Sequence, residues 1–200
     1  MQSSGVRQHI VKRGVLMIFD RGGRFLFTRN PKTAGTSMFR GAIEPSCDAV
    51  QGRGKEILNT FLKTADENTF KFTFVRNPWD RMVSLWRYSV GRWTDEELSL
   101  RDFLKKVAKG EANGRQFFLH SVNQSRSFLC ASEQYVDFIG RFENLPEDWE
   151  YVAERTGLSK TLPLLNQTPH EHYRECYNDE TAAMVYERYK MEIDYLGYEL

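Results

Sequence analysis

Twice in this chain a short apolar strand runs into a proline-bearing polar turn and then into a helix. That repeated junction constrains the fold more than any other feature. The first strand, Phe25-Leu26-Phe27-Thr28, leads into Asn30-Pro31-Lys32-Thr33-Ala34-Gly35-Thr36-Ser37. Pro31 forces Asn30 to be extended, so this turn cannot start as helix. A helix is expected from near Thr36 through Met38 and Phe39. The second strand, Phe70-Lys71-Phe72-Thr73-Phe74-Val75, alternates aromatic and β-branched residues and leads into Arg76-Asn77-Pro78. Asn77 is a good N-cap and Pro78 suits the first helical position. Trp79, Met82, Val83 and Trp86 then form an apolar helical stripe.

The remaining elements extend the alternation. Val15–Phe19 reads as a strand closed by a tight turn, Asp20-Arg21-Gly22-Gly23. Helices are expected over residues 55–65 and 99–109, from Pro146 onward, and over 179–194. Residues 135–139 read as a further strand. Alternating strands and helices argue for an α/β fold with a mainly parallel central sheet flanked by helices. The chain has 200 residues, enough for a single domain spanning 1–200 that buries about 70% of its unfolded surface.

Composition excludes several classes. Apolar residues make up 40% and charged residues 28%, which does not fit collagen, disorder or a membrane-embedded chain. The longest strictly apolar run, Val15–Phe19, is five residues, against the roughly 20 that span a bilayer. No transmembrane segment or signal pattern is expected, so the reading is cytoplasmic. Cys47, Cys130 and Cys176 are odd in number and widely spaced, which suits free thiols in a reducing compartment. The net charge of +1 conceals an asymmetry. Residues 1–92 hold 16 basic and 7 acidic side chains, and residues 93–200 hold 12 and 20. An anionic ligand belongs with the basic half. Lys-rich runs of the kind that bind nucleic acid are absent.

Both junctions carry anion chemistry. Between a strand end and a helix start, backbone N–H groups are unpaired and the helix dipole favours phosphate. Gly35 allows close backbone approach, Lys32 supplies a point charge, and Thr33, Thr36 and Ser37 supply hydroxyls. The order is not that of a Walker A loop, since the lysine comes first. At the second junction Arg76 leaves its strand at the carboxyl edge, where α/β sheets bind ligands. Ser84 lies one helical step beyond Asp80. Arg76 and Ser84 are placed to share one phosphate, or Arg76 pairs with Asp80.

The two segments together resemble the sulfotransferase superfamily. Pro31-Lys32-Thr33-Ala34-Gly35-Thr36-Ser37 is similar to its 5′-phosphosulfate loop. Arg76, with Ser84 eight residues on, is similar to its 3′-phosphate motif. Within it the chain most resembles the carbohydrate type, which includes heparan sulfate 2-O- and chondroitin sulfotransferases together with short soluble bacterial and viral relatives. Further matches are His120 and Gln124, residues 137–145, Leu162-Pro163-Leu164-Leu165-Asn166, and Tyr195-Leu196-Gly197-Tyr198. The resemblance implies a P-loop NTPase-like three-layer fold. It also implies 3′-phosphoadenosine 5′-phosphosulfate (PAPS) as donor, PAP as product, and a hydroxyl acceptor, on a carbohydrate. Lys32 would stabilise the leaving phosphate. Thr33, Ala34, Gly35, Thr36 and Ser37 would hold the 5′ end, and Arg76 and Ser84 the 3′-phosphate. No metal is called for, because lysine and amides supply the positive field.

The acceptor hydroxyl needs a base, and here the chain departs from its relatives. Many carry a histidine shortly before a Lys/Arg-Glu-Ile helix start. Lining up on Lys55-Glu56-Ile57 puts Gln51 there, and glutamine is no base near neutral pH. His120, Glu56 and Glu44 are the candidates, with His120 favoured for its ordinary pKa. Residues 93–126 are expected on the acceptor side. His170, His172 and Cys176 lack the partners of a zinc site. Two alternatives stay open. One is a nucleotide-binding relative without turnover; the other is a P-loop kinase or NTPase, which would need a Gly-Lys-Ser/Thr loop end and a Mg²⁺ ligand.

Overall fold

The structure is a computed structural model that describes residues 15–89, 97–109, 120–130, 132–163, 165 and 172–200. Trp93, Leu164, Asn166, His170 and much of the expected acceptor segment lie outside these residues. Two compact units emerge. One comprises Met1–Val75 with Gln124–Asn166, the other Arg76–Asn123 with Gln167–Leu200.

The first unit holds the sheet. Its strands are β1 (Leu16–Asp20), β2 (Phe25–Arg29), β3 (Ala49–Gly52), β4 (Phe70–Val75) and β5 (Phe138–Arg141), in the order β3-β1-β2-β4-β5. β2, β4 and β5 pair in parallel, while β1 is antiparallel to both its neighbours. Four of the five strands therefore point one way. β1 is reversed because the turn after it is too short for a crossover: Gly23 takes φ 79° and its N–H donates to the Asp20 carbonyl at 3.0 Å. A tight turn of this kind joins antiparallel strands only.

The sheet is covered on both faces within this unit. Phe25, Phe27, Phe70, Phe72 and Phe74 line one face with Ile18, and all are buried. Phe27 and Phe72 stack with centroids 4.9 Å apart, an arrangement worth about 0.5–1.5 kcal/mol beyond its area. Against this face pack Met38, Ala42 and Ile43 from the first helical segment, and Trp149 and Val152 from a helix over Leu145–Thr156. Gly140 in β5 is obligatory here, since a Cβ would lie 2.5 Å from the Phe74 ring. On the other face Phe19 meets Phe61 edge-on at 5.4 Å. Phe61 belongs to the helix Lys55–Leu62. The result is the α/β three-layer arrangement expected.

Two strands differ from expectation. β3 lies at the sheet edge, half-buried to exposed, so it lacks the alternation that marks a strand in sequence. The strand expected over 135–139 begins at Phe138. Asp137 ahead of it is tied to Lys71: its N–H donates to the Lys71 carbonyl at 2.6 Å, and its carboxylate accepts from the Lys71 N–H at 2.7 Å and pairs with the Lys71 ammonium at 2.9 Å.

The second unit is helical: α3 (Pro78–Ser89), α4 (Leu100–Lys109) and α6 (Asp179–Leu196), counting Gly35–Met38 as α1, Lys55–Leu62 as α2 and Leu145–Thr156 as α5. The Asn77 side chain caps α3, accepting from Trp79 N–H at 3.0 Å. Asn178 and Thr181 form a reciprocal capping box at the start of α6, and Gly197 ends it at φ 66°. Trp79, Met82 and Val83 are buried as expected, whereas Trp86 is half-buried and donates to the Leu98 carbonyl at 2.8 Å. Among the described residues no helix is long and apolar enough to cross a membrane.

Candidate anion-binding site

The first junction builds a compact, strained loop. Asn30, 1% exposed, anchors it. Its amide donates to the Phe74 carbonyl at 3.0 Å and accepts from the Ser127 hydroxyl at 2.8 Å. Thr33 is buried and donates to the Asn30 carbonyl at 3.0 Å. Between and after these anchors Lys32 and Ala34 adopt the left-handed conformation, with φ 67° and 58°. Neither is glycine, and such positions cost about 1–2 kcal/mol each. Strain of this kind clusters at ligand sites. Turns that combine left- and right-handed residues are the kind of backbone that gathers N–H groups around anions. Ala34 is also the N-cap of α1 and offers no side-chain cap to the helix amides.

Helix α1 continues as a π-helical turn, Phe39–Ile43, and a short α-helical piece, Glu44–Ser46. The side chain of Arg29, at the end of β2, lies directly over Gly35, where any Cβ would collide with it. Its Nη2 donates to the Thr36 hydroxyl at 2.7 Å. Burial, then the positive charges of Arg53 and Arg40, push the Arg29 guanidinium below its usual pKa; arginine stays charged even so. Lys32, Arg29, Arg40 and Arg53 thus make the surroundings of the loop strongly cationic. Ser37 is buried and its hydroxyl accepts from the Leu165 N–H at 3.2 Å. The hydroxyls of Thr33 and Ser37 therefore brace the loop. Thr36, accepting from Arg29, keeps its own proton to donate.

Arg76, Ser84 and His120 belong to the second unit. Arg76 is 7% exposed and grips Asp80 bidentately, Nε to Oδ2 at 2.7 Å and Nη2 to Oδ1 at 2.8 Å. Of the two sequence readings for Arg76, pairing with Asp80 is realised. Ser84 is buried on α3. His120 is half-buried, and its carbonyl accepts from Arg81 Nη1 at 3.3 Å. Gln51 is exposed on the edge strand β3, opposite Ile18, and α2 starts at Lys55 as the alignment places it. Glu44 and Glu56 are exposed. His172 stacks on Tyr173 at 4.8 Å, and no cluster of three or more metal-ligating side chains occurs among the described residues.

Arg29, Asn30, Arg40, Arg53 and Arg81 were not evident from sequence. Arg29 and Asn30 sit where a strand simply ends, and only the fold shows that one overlies Gly35 and the other ties β2 to β4.

The chain matches a family model described as the sulfotransferase family over residues 16–199. It is 32% identical over 105 residues to an uncharacterized protein of Archaeoglobus fulgidus, covering 52% of this chain and 82% of that protein. Among solved structures it is similar to a sulfotransferase from Alicyclobacillus acidocaldarius, at 19% identity and a TM-score of 0.41. The match covers 71% of this chain and 60% of that one.

Proposed function

We propose that this chain, which belongs to the sulfotransferase family, moves a sulfuryl group from PAPS to a hydroxyl of a carbohydrate acceptor. The observation that carries the reading is the strained loop ahead of α1: Lys32 and Ala34 held left-handed, with Arg29 laid over Gly35. A plain β–α turn has no need of two strained non-glycine residues. In this reading the amides near Ala34, Gly35 and Thr36 hold the 5′-phosphate, with Thr33 and Ser37 bracing them. Arg76 and Ser84 hold the 3′-phosphate. The acceptor oxygen attacks sulfur in line while the bond from sulfur to the bridging phosphate oxygen breaks. Charge accumulates on that leaving oxygen, and Lys32 stabilises it. His120 takes the acceptor proton. The three cysteines are free, which fits the cytoplasmic setting of this reading.

Thermal unfolding with 3′,5′-ADP, against ADP and ATP–Mg²⁺ at equal concentration, tests the pocket. At 100 times Kd a ligand adds about 2.7 kcal/mol, a rise of several degrees for a chain of this size. The expected result is a rise with 3′,5′-ADP alone. A rise with ATP–Mg²⁺ alone would replace the reading with a kinase or NTPase. His120→Ala tests the base: kcat should fall by about 10²–10⁴ with PAPS binding retained. Full activity would move the role to Glu44 or Glu56. Binding of 3′,5′-ADP without sulfate transfer to any glycan of a broad panel would favour a non-turnover binder, the reading that Gln51 keeps open.

A further inference from the structure

The second unit contains a fully buried ion pair with a long closest approach. Arg81 of α3 and Glu192 of α6 both have side chains 0% exposed, and their closest approach is 3.5 Å. Among the described residues no acceptor is in hydrogen-bond geometry with Arg81 Nε or Nη2. Burying such a pair is costly, and apolar replacements are often as stable or more so. What the pair does accomplish is directional. Arg81 Nη1 donates to the His120 carbonyl at 3.3 Å. Tyr189, 0% exposed, lies under the guanidinium with its centroid 4.9 Å from Cζ. Its hydroxyl donates to the Ser121 carbonyl at 2.6 Å. Burial pushes the Tyr189 phenol pKa upward, so the hydroxyl stays a donor.

His120 and Ser121 are helical and the chain bends at Val122. Carbonyls in the last turn of a helix have no intrahelical partner and are usually met by a cap or water. Here two consecutive ones are met by buried side chains from two other helices. Arg81 also stands three residues before Ser84 on α3, so the helix carrying that proposed phosphate ligand holds the His120 backbone as well.

We propose that Arg81 and Tyr189 are positioning residues for His120: by fixing the carbonyls of His120 and Ser121 they set the direction in which the imidazole leaves the backbone. This rests on the reading of His120 as base. Tyr189→Phe removes one hydroxyl and leaves the ring under Arg81. Its kcat should fall about tenfold or more, as small misplacements of a reacting group do, with KM for PAPS unchanged. The His120 ring resonance, identified by its loss in His120→Ala, should shift. In the His120→Ala background Tyr189→Phe should add no further loss. A wild-type kcat with an unmoved resonance overturns the proposal, as does an equal loss in both backgrounds. Full activity of His120→Ala overturns the base reading instead, and the resonance still reports whether Tyr189 sets the ring. If Tyr189→Phe does not fold, Arg81→Lys keeps the charge opposite Glu192, loses the fork and is read the same way.

Discussion

Lys32→Ala lowers kcat by about 10²–10³, the usual cost of losing a preorganised group aimed at developing charge, while Tm moves by no more than about 2 °C. The two halves of that expectation come from different features of the loop. Lys32 is half-buried and already left-handed at φ 67°. Alanine pays the same backbone penalty, so folding loses little. Asn30, Thr33 and Ser37 carry the bonds that shape the loop, and these survive. Lys32→Gly separates strain from charge: it relieves about 1 kcal/mol or more of left-handed strain, raising Tm by a few degrees, yet should be as inactive as alanine. Wild-type turnover in either variant would remove Lys32 from the transition state. Inactivity of the alanine variant alone would show that backbone geometry, not charge, had been lost.

The local junctions were legible and the long-range charges were not. Phe70–Val75 is a strand over the residues expected, Asn77 caps the helix after it, and Lys55 opens another. Each rests on interactions within a few residues, which periodicity and capping chemistry report directly. β3 was illegible because an edge strand needs no alternation. The pairing of Arg81 with Glu192 joins residues of two helices far apart in sequence, and Arg29 with Arg40 and Arg53 gathers charges from a strand end, a π-helical turn and a loop. Arginine in sequence reads as surface, and only the fold shows which of these are enclosed. For Arg76 the sequence left two partners open, an acid four residues on or a phosphate. The acid was local enough to name, and the structure realises it.

Arg76→Ala leaves the Asp80 carboxylate without the guanidinium, in a side chain only 12% exposed. Breaking such a buried pair costs about 3–5 kcal/mol, so Tm should fall by about 6–20 °C. Affinity for 3′,5′-ADP should fall by about tenfold to a hundredfold, the worth of a charge-assisted hydrogen bond to phosphate. Affinity for 5′-AMP, which lacks the 3′-phosphate, should hold within about twofold once measured well below the lowered Tm. The double variant Arg76→Ala, Asp80→Ala removes the orphaned carboxylate. It should recover part of the lost stability, the penalty of the orphaned carboxylate, and none of the lost 3′,5′-ADP affinity, because recognition needs the guanidinium. Recovery of 3′,5′-ADP binding in the double variant would mean that Arg76 serves only to neutralise Asp80. Equal losses for the two nucleotides in the single variant would mean that the 3′-phosphate is read elsewhere.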